Sequence, residues 1–337
     1  MRWALVGASD IAATRVIPAM RAVGHDVVGV LSSSAERGAA YAAENGIPRA
    51  TSSLDDLLAW ECDAVYVSTT NQLHAGQAIA SAARGKHVLC EKPLAMTVED
   101  ARAIVTMCAQ NGVVLATNHH LRSSAVNRKA RELVLAGELG DLRAVRMHHA
   151  VSLPERLRGW RIQDKAAGAG VILDITVHDA DTLRYVTGRE VEQVTAVSTS
   201  QEFGDGDVED TAFCVMLLDN GAAALTHESF AVPHAYTALE IHGSAGSLYI
   251  RDALTQDPDG EVILRRDGVD HVVDPGSRDD LYQVTLRAFE AAVRGTGVPL
   301  CTGEDGVASL AIALAALRSS QERRPVAVSE LLEGTDR

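Results

Sequence analysis

The chain has 337 residues, of which 47% are hydrophobic and 23% are charged, and its formal net charge is -14 at pH 7. This length suits two domains, and the composition is that of a folded globular protein, not of a disordered chain. The acidic excess argues against nucleic acid as a partner, because phosphate binding needs clustered Lys and Arg. The sequence has no signal peptide and no stretch of about 18 apolar residues, so we expect a cytoplasmic protein without a membrane span.

The cysteines are odd in number and widely scattered, and no Cys-x-x-Cys pair is present. This spacing argues against a disulfide framework and against a thiolate zinc site. We therefore expect buried free thiols in a reducing compartment at Cys62, Cys90, Cys108, Cys214 and Cys301.

Residues 1–120 alternate short apolar runs with helical patterns. The predicted strands are Trp3–Val6, Val27–Leu31, Ala64–Ser68, His87–Cys90 and Val113–Thr117. The predicted helices are Ile11–Val23, Ala35–Asn45, Leu54–Trp60 with Ser53 as N-cap, His74–Arg84 and Val98–Asn111. Apolar strands separated by helices are typical of a parallel sheet covered on both faces. The sequence therefore predicts an α/β fold with a doubly wound Rossmann domain over residues 1–120.

Residues 121–337 follow a different pattern, in which several strands come in succession. The predicted helices are Asn127–Ala136, Ile172–Thr187, Leu281–Arg294 and Val307–Ser319. The predicted strands are Leu142–Ala150, Val191–Ser200, Ala212–Leu218, Ala222–Ser229, Thr237–His242 and Leu248–Ile250. Short loops such as Asp219-Asn220-Gly221 are typical of antiparallel hairpins. We expect an α+β domain for substrate binding and oligomerisation, with an open, mostly antiparallel sheet that carries helices on one face.

The first predicted turn reads Gly7-Ala8-Ser9-Asp10-Ile11-Ala12 and lies between a strand and a helix. A dinucleotide fingerprint belongs at this place, because the pyrophosphate binds backbone N–H groups at the helix N-terminus. The turn keeps only the first glycine of G-x-G-x-x-G, while Ser9 is small and Ala12 still permits close packing. We predict that Gly7, Ser9, Ile11 and Ala12 bind a dinucleotide.

The segment Ser32-Ser33-Ser34-Ala35-Glu36-Arg37 follows the second predicted strand, where NAD-binding domains usually carry an Asp or Glu for the ribose 2′-hydroxyl. Hydroxyl groups and a guanidinium suit a 2′-phosphate instead, so Ser32, Ser33 and Arg37 predict NADP. Two alternatives stay open. The serines and Arg37 could be an N-cap and an exposed helical side chain, and Glu36 could turn toward the ribose.

The segment Cys90-Glu91-Lys92-Pro93-Leu94 follows a predicted parallel strand, at the edge of the sheet where α/β folds bind ligands. A residue before proline is held extended, so the Lys92 ammonium has a restricted direction. The peptide bond to Pro93 is a candidate for the cis form. The alternative is a lysine that is merely solvated in a loop.

Asp174 and His178 are four residues apart on a predicted helix and would share one face. An imidazole can exchange a proton near neutral pH, which makes His178 a candidate acid–base residue. The pair could also serve only helix stability. A metal site built from His178, Asp179 and Asp181 is disfavoured, because neighbouring helical residues point in different directions.

These segments together resemble the glucose–fructose oxidoreductase/inositol dehydrogenase/MocA family, and within it the bacterial NADP-dependent reductases of 1,5-anhydro-D-fructose. The resemblance extends over nearly the whole chain and is weaker near 190–270 and after 320. The matching stretches are 7–9, 34–41, 64–71, 87–96, 117–122, 159–161 and 170–183.

The resemblance implies that NADPH reduces the C2 ketone of 1,5-anhydro-D-fructose to 1,5-anhydro-D-mannitol. His178 would then be the general acid, Lys92 would stabilise the alkoxide, and Asp174 would bind a neighbouring hydroxyl and help to orient Lys92. Further expected cofactor residues are Thr69, Thr70, Asn71, His74, Glu91, Lys92, Trp160 and Arg161. The expected substrate residues are Lys92, Asn118, His149, Trp160, Arg161, Asp174 and His178, and no metal is expected.

Two other functions stay open. The chain could be an NAD(P)-dependent dehydrogenase of another sugar or polyol, such as an inositol, because this family shares catalytic residues across divergent substrates. It could also be a non-catalytic NADP-sensing protein, although a sensor has no need for Lys92, Asp174 and His178. The expected partner is a small sugar or polyol, and the open sheet invites pairing into a homo-oligomer.

Overall fold

A computed structural model describes residues 1–203 and 208–333 of the chain. These residues form two compact units, the first containing 1–119 and 282–307 and the second containing 120–281 and the described residues from 308 onward. We expected everything from residue 121 to lie in the second domain, and residues 282–307 lie in the first unit instead. Local sequence patterns cannot indicate that a segment late in the chain packs in the first unit. Residues 204–207 and 334–337, part of the predicted second domain, lie outside the described residues.

In the described part of the first unit, six parallel strands form a sheet with the order β3-β2-β1-β4-β5-β6. The strands are β1 Arg2–Val6, β2 Asp26–Leu31, β3 Ala50–Thr51, β4 Ala64–Val67, β5 His87–Cys90 and β6 Leu115–Thr117. Every residue of β4 is completely buried, as expected of a central strand covered on both faces. The doubly wound Rossmann architecture is confirmed; β3, of two residues, was not predicted.

The helices of the first unit begin at polar residues that cap them. Ser34, Ser53 and Thr97 each accept a hydrogen bond from the backbone N–H three residues later, at 3.1–3.2 Å. The α-helices are α1 Ile17–Ala22, α2 Ala35–Glu44, α3 Leu54–Leu58, α4 His74–Ala83 and α5 Val98–Gln110. The predicted helix Ile11–Val23 contains a π-helical segment, Ala12–Val16, ahead of α1.

The segment 282–307 completes the first unit in two places. Phe289 is 1% exposed, and its ring centroid lies 5.1 Å from that of the buried Trp3 on β1. At the other end, the Thr117 N–H donates to the Cys301 carbonyl at 3.2 Å, so this segment covers the edge of β6. The late segment therefore belongs to the core of the Rossmann unit.

In the described part of the second unit, nine strands form a sheet with the order β14-β13-β12-β11-β7-β10-β9-β8-β15. The strands are β7 Leu142–Ala150, β8 Val191–Thr199, β9 Thr211–Leu218, β10 Ala223–Ser229, β11 Ala238–Gly243, β12 Ser247–Arg251, β13 Glu261–Arg266, β14 Val269–Val273 and β15 Val326–Ala327. The pair β7–β10 is parallel and the other described pairs are antiparallel. The mostly antiparallel sheet is confirmed, and β13, β14 and β15 were not predicted.

Strand β9 shows which face of this sheet is covered. Ala212, Cys214 and Met216 are buried, whereas the alternate residues Phe213 and Val215 are more than 40% exposed. The remaining helices are α6 Ala125–Leu135, α7 Glu155–Gln163, α8 Val177–Thr187, α9 Leu281–Val293, α10 Gly303–Glu322 and α11 Ser329–Leu332. A second π-helical segment, Ile172–Thr176, continues directly into α8 and packs on β9 and β10.

All five cysteines lie in the described ranges and are buried thiols without a disulfide bond. No helix in residues 1–203 or 208–333 combines the length and hydropathy needed to cross a bilayer.

We expect Phe289→Ala to lower the free energy of unfolding by about 3–5 kcal/mol, because it opens a cavity against Trp3 in the core. Val298→Ala is the matched control from the same segment, since Val298 is 77% exposed. Urea unfolding followed by tryptophan fluorescence measures both variants. A loss at Phe289 as small as that at Val298 would contradict the placement of 282–307 in the first core.

Candidate active site

Gly7 forms the turn after β1 and takes a backbone conformation that only glycine adopts easily, with φ +124°. A Cβ at this position would lie 2.9 Å from the carbonyl carbon and oxygen of Ser68. The backbone of the fingerprint turn therefore runs directly against the end of β4. A glycine backbone without a side chain is what the close approach of a pyrophosphate requires, so the turn fits a bound dinucleotide.

Ser9 holds the start of the following helix. Its hydroxyl accepts a hydrogen bond from the Ala12 N–H at 3.2 Å and lies 2.8 Å from the Ser68 hydroxyl. Its carbonyl accepts a hydrogen bond from the Tyr41 hydroxyl at 2.9 Å. Ala12 is completely buried, whereas Ile11 is half-buried. Ala12 thus permits the close packing that the third glycine of the motif would otherwise provide.

Arg37 and Ser33 come together beyond the end of β2. The Arg37 guanidinium donates to the Ala8 carbonyl at 3.0 Å and lies 3.5 Å from the Ser33 hydroxyl. Both residues are exposed, so a cation and a hydroxyl flank the fingerprint turn. Glu36, on the first turn of α2, is also exposed. Ser32 differs because it is only 5% exposed and faces Gly38, which places it in the packing beneath α2.

The residues after β4 form a loop that His74 ties to the lysine segment. His74 is completely buried, with Nδ1 2.8 Å from the Pro93 carbonyl and Nε2 3.2 Å from the Thr69 carbonyl. Burial lowers the pKa of the His74 imidazole, so the ring is neutral and donates to one carbonyl at a time. Asn71 is also buried, while Thr69 and Thr70 are half-buried. His74 therefore connects the loop after β4 to the segment that contains Lys92 and Pro93.

Glu91 anchors the segment that carries Lys92. One carboxylate oxygen accepts from the Tyr66 hydroxyl at 2.5 Å and from the Asn118 side-chain amide at 2.6 Å. Burial raises the pKa of Glu91. These bonds join the carboxyl ends of three neighbouring strands, β4, β5 and β6. Lys92 is half-buried, and its peptide bond to Pro93 is cis, the form for which the sequence made it a candidate.

In the second unit, Trp160, Arg161 and Asp174 form one contact group. The Arg161 guanidinium carbon lies 4.6 Å from the Trp160 ring centroid, and its Nε lies 3.6 Å from a carboxylate oxygen of Asp174. The Asp174 and Arg161 side chains retain 15% and 26% exposure. The structure therefore brings together three of the predicted site residues, and the Arg161 and Asp174 side chains reach solvent.

The start of the helix that bears Asp174 is held by Glu209. The Glu209 carboxylate accepts from the Ile172 N–H at 3.2 Å, and a Cβ at Gly170 would lie 2.2 Å from the same oxygen. Gly170 has φ +115°, so glycine is required here for conformation and for space. Asp174 lies in the π-helical segment. Such segments are rare and often occur at functional sites.

His178 is 6% exposed, and its ring packs edge-on against that of His120, with centroids 5.0 Å apart. Two residues after His120, the Arg122 guanidinium donates to both carboxylate oxygens of Asp181, at 2.8 and 2.6 Å. This buried ion pair ties the 3₁₀ turn His120–Ser123 to α8, one turn from His178. Asp179 instead contacts His149, with 2.7 Å between Oδ1 and Nδ1. The two carboxylates of the disfavoured metal hypothesis thus have separate partners.

The sequence did not indicate the positioning role of four side chains: Tyr66, His120, Arg122 and Asp181. Tyr66 lies in an apolar strand, where nothing in the local pattern marks its hydroxyl as a partner of Glu91. The pairing of Arg122 with Asp181 spans 59 positions, which no helical or strand period reports.

We expect Gly7→Ala to destabilise the protein by about 1–3 kcal/mol through backbone strain and to weaken dinucleotide binding, because the turn must move away from Ser68. Gly76→Ala is the matched control, since Gly76 lies in α4 with nothing near its Cβ position. There alanine should stabilise the helix by roughly 0.5–1 kcal/mol. Thermal unfolding and titration of NADPH fluorescence measure both effects, and equal behaviour of the two variants would refute the close approach at Gly7.

Comparison with known proteins accounts for both units. The model of the oxidoreductase family with an NAD-binding Rossmann fold matches residues 1–119, and that of the GFO/IDH/MocA C-terminal domain matches residues 127–249. The 1,5-anhydro-D-fructose reductase of Ensifer adhaerens is 49% identical over 95% of this chain and 96% of its own length. A D-xylose 1-dehydrogenase (NADP(+)) of Haloferax volcanii is 32% identical over 91% of this chain and 93% of its own length. The aldose–aldose oxidoreductase structure from Caulobacter crescentus, complexed with glycerol, superimposes with a TM-score of 0.88 at 27% identity, covering 97% of this chain and 99% of that one. The chain therefore belongs to the GFO/IDH/MocA family of oxidoreductases.

Proposed function

We propose that this protein is an NADPH-dependent reductase that converts the C2 ketone of 1,5-anhydro-D-fructose into 1,5-anhydro-D-mannitol. The observation that carries the proposal is the 49% identity, over 95% of the chain, to a reductase of that substrate. Lys92, Asp174 and His178, the groups that the chemistry needs, are all present. We retain the cytoplasmic location and the pairing into a homo-oligomer as part of this proposal.

The choice of NADPH rests on the residues that follow β2. Arg37 and Ser33 place a guanidinium and a hydroxyl beside the fingerprint turn, where a 2′-phosphate would accept their hydrogen bonds. An aspartate for the ribose 2′-hydroxyl is missing from this part of the sequence, and Glu36 is the acidic group nearest in sequence. Gly7, Ser9, Ile11 and Ala12 would hold the pyrophosphate. Thr69, Thr70, Asn71 and Glu91 would line the rest of the dinucleotide, which supplies the hydride when bound.

The proposed chemistry assigns one task to each polar side chain. His178 donates a proton to the carbonyl oxygen of the substrate as that oxygen becomes an alkoxide. Lys92 hydrogen-bonds the same oxygen and stabilises its developing negative charge. Asp174 accepts a hydrogen bond from a neighbouring hydroxyl, and its contact with Arg161 orients it. Asn118, His149 and Trp160 would complete the binding of the sugar.

A second candidate is a dehydrogenase of another sugar or polyol, because the chain is 32% identical to a D-xylose 1-dehydrogenase over 91% of its length. The same residues would serve it, with His178 accepting a proton from a substrate hydroxyl.

We expect Arg37→Ala to raise the KM for NADPH by roughly tenfold to a hundredfold, as loss of a charge-assisted hydrogen bond would. The KM for NADH should change less than about twofold, because NADH has no 2′-phosphate. Arg84→Ala, which removes an exposed arginine paired with Asp55, is the charge-matched control. Initial rates with each cofactor test this assignment, and equal losses with NADPH and NADH would refute it.

We expect His178→Asn to reduce kcat by about 10²–10⁴-fold, the usual contribution of a general acid. The Kd for NADPH should stay within about twofold, because the proposed role of His178 is proton transfer and not cofactor binding. His148→Asn is the control. His148 lies in the same unit as His178, but its side chain points to the face of β7 opposite that of the buried His149. If His178→Asn keeps wild-type turnover, another group is the proton donor.

A further inference from the structure

Two carboxyl groups that the proposed reaction does not use are completely buried in the second unit. Asp179 lies on α8 and Glu228 on β10, and both are 0% exposed. His149, 6% exposed, lies on β7 directly beside Glu228 in the parallel register of the two strands. All three side chains therefore occupy the helix-covered side of the sheet, between the strands and α8.

The bonds in this cluster require one shared proton. Nδ1 of His149 lies 2.7 Å from Oδ1 of Asp179. The carboxyl group of Glu228 is a direct electrostatic neighbour of that of Asp179. Among the described residues, Oδ2 of Asp179 and both Glu228 oxygens are buried and meet no well-aligned donor. Two ionised carboxylates have only acceptors, so they cannot bond each other. A bond between them needs a proton on one of the two.

Glu228 is the group that holds the proton. Asp179 faces His149, whose N–H stabilises an ionised partner, whereas Glu228 faces the charge of Asp179. Burial and the Asp179 charge raise the pKa of Glu228 well above its usual value. Glu228 therefore donates its O–H to Asp179, and Asp179 carries the single negative charge.

The surrounding titratable groups do not change this assignment. His148 lies on the face of β7 opposite His149, and Cys214 lies on β9, beside the nearby hydroxyl of Thr226. Burial lowers the pKa of the His148 imidazole and raises that of the Cys214 thiol, so both are neutral at neutral pH. Neither supplies the positive charge that would let both carboxyl groups ionise.

We propose that Glu228 and Asp179 are positioning residues for His149. Together the two carboxyl groups hold one proton and carry one negative charge, and this charge keeps the His149 proton on Nδ1. Nε2 of His149 is then left as the acceptor for a substrate hydroxyl. The side chain of His149 keeps 8% exposure, and Nε2, on the ring edge away from Asp179, is not among the buried atoms without a partner. This inference rests on the proposed function only for the identity of the hydroxyl donor, a sugar or polyol. An aspartate that sets the tautomer of a histidine is known to be essential in other enzymes.

The spectroscopic test uses the purified protein without ligand. Nitrogen NMR of histidine-labelled protein reports which ring nitrogen of His149 is protonated, and the loss of one signal set in His149→Gln assigns the resonance. Infrared spectroscopy reports a protonated carboxyl group. We expect wild type and Glu228→Gln to show the proton of His149 on Nδ1, and the protonated-carboxyl band to vanish only in Glu228→Gln.

Asp179→Asn is the discriminating variant. Because protonated Glu228 donates to the amide oxygen, the amide N–H group of the new side chain must face His149 and drive its proton to Nε2. If Glu228 is ionised instead, it accepts from the amide N–H group, the amide oxygen faces His149, and the tautomer does not change. An unchanged tautomer in Asp179→Asn, or the absence of a protonated-carboxyl band in wild type, would overturn the proposal.

Steady-state kinetics test whether the tautomer of His149 affects substrate binding. We expect Asp179→Asn to raise the KM for the carbonyl substrate about tenfold, the effect of one lost hydrogen bond, with kcat within about threefold. Glu228→Gln keeps a donor toward Asp179 and should leave both constants within about twofold. If the role of Asp179 is purely structural, Asp179→Asn will lower the unfolding temperature without raising KM selectively over kcat. That result, or an equal increase in KM in Asp179→Asn and Glu228→Gln, would overturn the proposal. If no sugar is turned over, the proposed function fails while the spectroscopic outcomes still decide the shared proton.

Discussion

The burial of carboxyl groups is the constraint on which both candidate site segments depend. In each unit a partly or fully buried carboxyl group is the sequence neighbour of a side chain that we propose to act on substrate. Glu91 precedes Lys92 and Asp179 follows His178. A buried carboxyl group costs several kcal/mol unless specific donors meet it, so its position cannot drift without losing those donors. The Tyr66 and Asn118 donors hold Glu91, and His149 holds Asp179. Each anchor thereby fixes the backbone from which the neighbouring reactive group extends.

Backbone geometry adds a second constraint to the same segments. Each unit has a π-helical segment shortly after a glycine with positive φ, Gly7 in the first and Gly170 in the second. In both places a Cβ on the glycine would collide with another strand or side chain. A π-helical turn widens the helix by one residue and survives only where surrounding contacts hold it. The fingerprint turn and the Asp174 segment are therefore shaped by packing, and their local sequence need not follow a standard motif.

Much of the fold could be predicted from the sequence because its signals are local. The apolar strands β1, β4 and β5, with capping residues such as Ser53 between them, define the Rossmann sheet over short distances. The return of residues 282–307 to the first unit could not be predicted, because the contact of Phe289 with Trp3 spans most of the chain. For the same reason the sequence could nominate Lys92 and His178 but not the partners that position them. Glu228 is the clearest case. An acidic residue in a strand with alternating polar and apolar residues is expected to face solvent, and only the neighbouring strand shows that Glu228 does not.

The most direct test of the account is the initial rate of NADPH oxidation by the purified enzyme with 1,5-anhydro-D-fructose, compared with fructose and a glucosone-type dicarbonyl. D-Xylose and myo-inositol with NADP⁺ test the reverse direction, and chromatography identifies the product. We predict a dominant rate with 1,5-anhydro-D-fructose and 1,5-anhydro-D-mannitol as its product. A dominant rate with another polyol would keep the mechanism and contradict the substrate. NADPH binding without turnover of any sugar would contradict the catalytic account and favour a sensing role.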